Sequence, residues 1–428
     1  MVAKAYNEKI TGIYFTALAV LTYYFVDQTI APNIGIPLRQ IFVVLFIFSG
    51  FICWLVRPNI ARTSILLRSS LVMCIPLGVM VTVSLFLWVI HLEDVSAIQN
   101  GFYTYFLYMN EVFAVLMAAV FLYMFGEKGI WYNLAAIIVA NLLLIASIMA
   151  EHGVSAYMNE LWILITSFAT ETGAVIREAE IHELAFCLGI YELYMLLTFR
   201  RKPWFILLFA LSTFCFVSAF KRIAMAAIAV AAVVGLILKY LARKKNEKTV
   251  SKVINIFLVV LFVFAFAYVF AVKNGLFSEL EALGVDVKGR AELYEFVDEM
   301  YEFSPVFLGH GMGFVYYEFN ENISTYTAAL HNDILEMYID LGFWGFLLWL
   351  LSVFVLRLRY FGRQGGRTNK ALVFAVMLYM FVIFSTDNTL TFQMVYLVTA
   401  LVIMGNGFDE KVEKEEVRLF LTPSEKGL

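Results

Sequence analysis

The chain has 428 residues, 62% hydrophobic and only 15% charged, where a soluble domain carries roughly 25% charged residues. No soluble packing hides that much apolar surface, so a water-soluble globular enzyme is excluded and the bilayer is the expected solvent. A net charge of −3 by itself says little, and no nucleic-acid partner is expected; its two signs are unevenly placed along the chain, and that placement carries the topology.

The apolar run after Lys9 is not followed by a small-residue cleavage site, so it reads as a retained first span in a mature chain starting near Met1. A span needs roughly 20 mostly apolar residues. Candidates in the first half lie at about 10–27, 38–56, 66–91, 102–125, 130–150 and 181–199. The second half adds about 203–219, 222–241, 253–272, 335–356, 370–386 and 389–405. The stretch 157–168 is too short to cross and reads as interfacial or re-entrant. The fold class expected is therefore all-α: a polytopic membrane protein with about 12 transmembrane helices, one integral domain over 1–428, and one large external loop of short helices at 273–333.

Twelve spans put both termini on one side, and the positive-inside rule makes that side cytoplasmic. The outer side keeps seven of the 31 basic residues: Arg39, Arg177, Lys221, Arg222, Lys273, Lys288 and Arg290. The outer loop holds three basic against eleven acidic residues, and about sixty residues form a cap and not a catalytic domain. Chemistry must then use loop and bundle together. All four cysteines lie in apolar stretches, with no CxxC spacing and no disulfide framework.

Lys221 and Arg222 stand at a tight outer turn between two apolar runs. Cations at membrane level mark a substrate path or an anionic partner, and the planar fork of Arg matches phosphate oxygens; the bland reading is snorkelling to lipid phosphates. Gly289-Arg290 opens an amphipathic helix with Leu293, Phe296, Val297, Met300 and Tyr301 on one face and Glu292, Glu295, Asp298, Glu299 and Glu302 on the other. A cation there opposes the helix dipole; its bland reading is an ion pair with that acidic face. Where the loop re-enters the membrane, Asp333 and Glu336 have capping-box spacing, with His331 and Asn332 just before the helix. Glu336 and Asp340 share a face, and Gly342 and Gly345 allow close helix packing. Glu171, Arg177, Glu178, Glu180, His182 and Glu183 read as a solvated charged loop, and Asp387 and Asn388 as caps of the last outer turn. Nucleotide-binding, zinc-protease, serine-hydrolase and DxD motifs are absent; Glu93-Asp94 lacks the spacing of a metal pair.

The ordered set of a basic outer turn, Gly289-Arg290, Leu308-Gly309-His310-Gly311-Met312-Gly313, His331-Asn332, Leu335 and Gly342-x-x-Gly345 resembles the O-antigen ligase and Wzy-type polysaccharide polymerase superfamily, over roughly Phe214 to Trp349. The resemblance implies a metal-independent, inverting glycosyltransferase of the bacterial cytoplasmic membrane, without a cofactor. Its donor would be a polyprenyl-pyrophosphate-linked oligosaccharide. It assigns Lys221, Arg222 and Arg290 to the pyrophosphate, His331 with Arg290 to catalysis, and Asn332, Glu336, Tyr294 and His310 to glycan or acceptor contacts. The turn departs from the usual Ser-Arg because Lys221 precedes Arg222, and His310 stands where an aromatic is more usual. A chain-length regulator and a flippase are the implied partners. The rival inside the superfamily is a ligase that moves finished glycan to a lipid or protein. The rival outside it is a polysaccharide flippase or other transporter, which would favour internal repeats and midplane sites; no repeat is visible.

Overall fold

The computed structural model describes residues 8–26, 35–90, 95–167, 173, 175, 181–219, 221–244, 247–284, 287, 289–322, 330–364 and 366–420. Glu93, Asp94, Glu171, Arg177, Glu178, Glu180 and Lys288, singled out in the sequence, lie outside them. Helix makes up 86% of the structure, with no strand among the described residues. The helices are α1 (Glu8–Tyr24), α2 (Gly35–Val56), α3 (Ile60–Ile90), α4 (Val95–Phe125), α5 (Lys128–His152), α6 (Val154–Ser167), α7 (His182–Leu197), α8 (Pro203–Ser218), α9 (Arg222–Lys244) and α10 (Glu247–Lys273). There follow α11 (Leu276–Ala282), α12 (Arg290–Asp298), α13 (Phe314–Asn322), α14 (Asp333–Leu350) with a π turn at Leu351–Leu356, α15 (Arg357–Gln364), α16 (Gly366–Phe384), α17 (Gln393–Gly405) and α18 (Phe408–Phe420). Each apolar stretch expected to span has a helix in its place. Among the described residues, seven helices are long and apolar enough to cross a membrane.

Packing divides the chain into two units, Met1–Ser70 with Phe113–Leu236 and Gln393–Leu428, and Leu71–Val112 with Ile237–Phe392. In the first, α7 and α17 are apolar on most sides, which places a helix in an interior: every residue of α17 is buried. Phe15 of α1 meets Phe46 edge-on at 5.0 Å. Tyr23 and Tyr191 both donate to the buried Asn133 Oδ1, at 3.0 and 2.8 Å. Glu183, expected in a solvated loop, is buried. Its carboxylate accepts from Met394 N at 2.6 Å and faces Arg39 at 3.5 Å, so it satisfies an orphan amide at the start of α17.

In the second unit the segment between α10 and α14 is fastened to α14. Gly342 interrupts α14 with φ 68°, a left-handed conformation that Gly adopts without steric cost. The interruption frees the Asp340 carbonyl, which accepts from His310 N and Gly311 N at 3.1 and 2.7 Å, while Phe343 N donates to Phe307 O at 3.0 Å. A Cβ on Gly342 would lie 2.1 Å from the Leu308 carbonyl. Gly342 is thus a break that receives the loop backbone, and the expected helix-packing role belongs to Gly345 alone, facing Val83. The Asp340 carboxylate accepts from Gly313 N and Val315 N at 2.6 and 3.2 Å and so caps α13. Tyr338 stacks on Phe303 and Phe307, and its hydroxyl donates to Glu302 O at 3.0 Å.

Arg357 is buried, at 4% exposed. Its guanidinium bonds Glu111 at 2.8 Å and the Met73 carbonyl. A membrane-level ion needs such a partner.

Candidate functional site

The second unit brings together Arg290, His331 and Asp387, which lie far apart in sequence. His331 has φ 53°, the one positive φ outside glycine among the described residues. Its neighbours Leu330 and Asn332 are buried, so the left-handed turn tucks both inward and leaves the imidazole a third exposed. His331 Nδ1 lies 3.6 Å from Oδ1 of Asp387, a carboxylate only 3% exposed.

The N-cap of α14 is Asn332, not the Asp333 that the capping-box spacing suggested. Asn332 Oδ1 accepts from Leu335 N at 3.1 Å. Its Nδ2 faces the hydroxyls of Tyr268 and Tyr294 at 3.1 and 3.3 Å. Asp333 instead anchors the turn between α16 and α17: its Oδ2 accepts from Thr389 Oγ1 and Leu390 N at 2.9 and 3.0 Å. In return Asp333 N donates to Asp387 O at 3.3 Å. These bonds fix Asp387 beneath His331.

Arg290 Nη2 donates to Thr386 O at 2.7 Å. Among the described residues this carbonyl, and not the acidic face of α12, is its recorded partner. The buried face of α12 is Ala291, Tyr294 and Val297, turned from the expected apolar stripe, and the helix stops at Asp298, sooner than the pattern suggested. Burial pushes the Tyr294 phenol up, against the pull of the Arg290 guanidinium; Tyr294 is therefore a neutral donor at ordinary pH. Glu336 accepts from the Tyr108 hydroxyl at 2.9 Å and is buried. His310 donates from Nε2 to Met300 O at 2.9 Å and stacks on Phe314 at 3.9 Å, so it occupies its aromatic position as an aromatic. Tyr268 and the Asp387–His331 pairing escaped the sequence reading; a lone Asp in the last outer turn was the available signal.

In the first unit, Lys221 Nζ lies 2.9 Å from Nδ1 of His182 and 5.9 Å from the Phe186 ring centroid. Arg222 opens α9 and is exposed. Of the other cations expected on the outer side, Lys273 bonds Asp298 at 3.1 Å and lies over the Tyr301 ring.

Seven helices long and apolar enough to cross a membrane among the described residues, with shorter apolar helices besides, define a multi-pass membrane protein. Residues 206–350 match the family model described as O-Antigen ligase. None of the curated proteins matches the chain. The match nearly coincides with the segment whose motifs carried the resemblance, so similarity to the O-antigen ligase and Wzy superfamily is borne out there, and with it glycan transfer of the ligase or polymerase type in general.

Proposed function

We propose that the chain is a membrane glycosyltransferase that polymerises polyprenyl-pyrophosphate-linked oligosaccharide repeats into a surface polysaccharide at the outer face of a bacterial cytoplasmic membrane. We take it to have about twelve spans and both termini inside. The observation that carries the reading is the meeting of Arg290, His331 and Asp387 within and beside the matched segment. In the step proposed, the acceptor hydroxyl oxygen bonds to the anomeric carbon as the bond to pyrophosphate breaks. The leaving group takes the electron pair, and the hydroxyl proton passes to His331 Nε2, with Nδ1–H held toward Asp387. Attack opposite the leaving group inverts the anomeric centre.

Arg290, anchored through one nitrogen, keeps further donors for the phosphate oxygens. Preorganised cations aimed at developing charge lower the barrier without reorganising at the moment of reaction. An imidazole with a carboxylate behind one nitrogen is oriented to exchange a proton at the other. Lys221 and Arg222 are assigned to phosphate on the resemblance, Arg222 by its exposure being the one open to a ligand. Asn332 and Tyr294 support the His331 turn.

The description of the matched family favours a second reading, transfer of finished glycan to a lipid or protein. Polymer length on a gel separates the two, in cells lacking the gene and complemented with wild type, Arg290→Ala or His331→Ala at equal membrane levels. Accumulation of single repeats in all but wild type supports the polymerase; normal polymer that stays unattached supports the ligase. Unchanged polymer and attachment would overturn both.

A further inference from the structure

Between α2 and α3 the first unit contains a cavity of about 260 Å³. Ile52, Cys53, Val56 and Met124 form its apolar wall, and Arg57 and Arg62 its polar one. Hydrogen bonds build the polar wall. The Tyr123 hydroxyl donates to Arg57 O at 2.6 Å and accepts from Asn59 N at 2.8 Å. The Tyr123 carbonyl accepts from Arg62 Nη1 at 2.6 Å, and Asn59 Oδ1 from Arg62 N at 2.8 Å. Asn59 Nδ2 donates to Glu416 of α18 at 3.4 Å.

The apolar wall continues outside the cavity. Phe48, Ile52 and Val56 stand one turn apart on α2 and are 58%, 45% and 71% exposed, and only 17% of the apolar window of this helix is buried. The Arg62 guanidinium, held on the Tyr123 carbonyl, and the exposed Arg57 thus stand at the head of an exposed apolar ramp. The cavity has room for a phosphate and its glycerol but not for acyl chains, which the ramp accommodates.

We propose that this cavity binds the headgroup of an anionic glycerophospholipid from the surrounding leaflet, with phosphate between Arg57 and Arg62 and an acyl chain along Phe48, Ile52 and Val56. Guanidinium forks match phosphate oxygens, and basic pockets between membrane helices select acidic headgroups. The proposal stands apart from the glycan-transfer reading.

The test is native mass spectrometry of the purified full-length protein titrated with phosphatidylglycerol and with phosphatidylethanolamine, alongside thermal unfolding. Wild type should retain phosphatidylglycerol in preference, and each of Arg57→Gln and Arg62→Gln should weaken it about fivefold, as expected for one surface cation. Val56→Trp, which fills the cavity and leaves both charges, should weaken it with unfolding unchanged. Arg57→Gln serves if Arg62→Gln fails to fold, because Arg57 meets Tyr123 through its carbonyl. Equal retention of both lipids, full binding in Arg57→Gln or Val56→Trp, or loss only with Lys248→Gln and Lys252→Gln on the groove along α10 would overturn the proposal.

Discussion

A histidine at φ 53° carries roughly 1–3 kcal/mol of backbone strain, and its neighbours show what holds it there. Asn332 must reach the first turn of α14 while Leu330 stays buried, and only a left-handed residue between them allows both. Asn tolerates that conformation, so His331→Asn should keep the turn and the unfolding temperature while glycan transfer falls by about 10²-fold or more, the usual worth of a general base. Equal loss of stability would make His331 structural. Arg290→Lys keeps a donor for Thr386 O but loses the fork; transfer should fall by about 10²-fold, as for one lost charge-stabilising donor, with the membrane level unchanged on an immunoblot.

At the scale of elements, the break in α14 and the glycine run of the loop are one construction. Gly309, Gly311 and Gly313 all have positive φ, between 84° and 96°, and the loop backbone lies directly on the Asp340–Gly342 segment. Gly342→Ala would press a methyl group onto the Leu308 carbonyl and strain φ as well. Limited proteolysis should then cut the 299–313 region faster than in wild type, whereas unchanged cleavage would show that the loop is held elsewhere. The α18 helix carries a different signature. Burial pushes the Lys411 ammonium down to about 8 from the ordinary 10.5. The unfolded chain therefore binds the extra proton between those values, and stability should rise with pH across that window. Lys411→Met should raise the unfolding temperature at pH ~7.5 and remove the slope, because the buried charge goes with the side chain.

For the whole molecule, the helices were legible because lipid demands long apolar runs with satisfied backbones, and a helix stands at each stretch the hydropathy marked. The site was legible in part. Arg290 stood out by opposing the helix dipole and His331 by its place just before α14, but their partners come from a turn more than fifty residues on, and no local pattern joins Asp387 to His331. A separation of 246 residues hid Glu111 from Arg357. Capping was misassigned by one residue because Asn332 and Asp333 both suit a cap; the backbone reversal at His331, invisible in the sequence, decides between them. Sidedness is testable at this scale: Glu299→Cys, on the exposed face of the loop, should react with an impermeant maleimide in intact cells, and Glu413→Cys on α18 only after lysis. Reversed labelling would invert the topology.

The most direct measurement is glycan transfer by the purified full-length protein in proteoliposomes, given a polyprenyl-pyrophosphate-linked oligosaccharide and read by mass spectrometry. The account predicts a lengthened or relocated glycan with release of polyprenyl pyrophosphate, lost in His331→Asn and Arg290→Lys. Movement of intact lipid-linked oligosaccharide across the bilayer with no new glycosidic bond would contradict it.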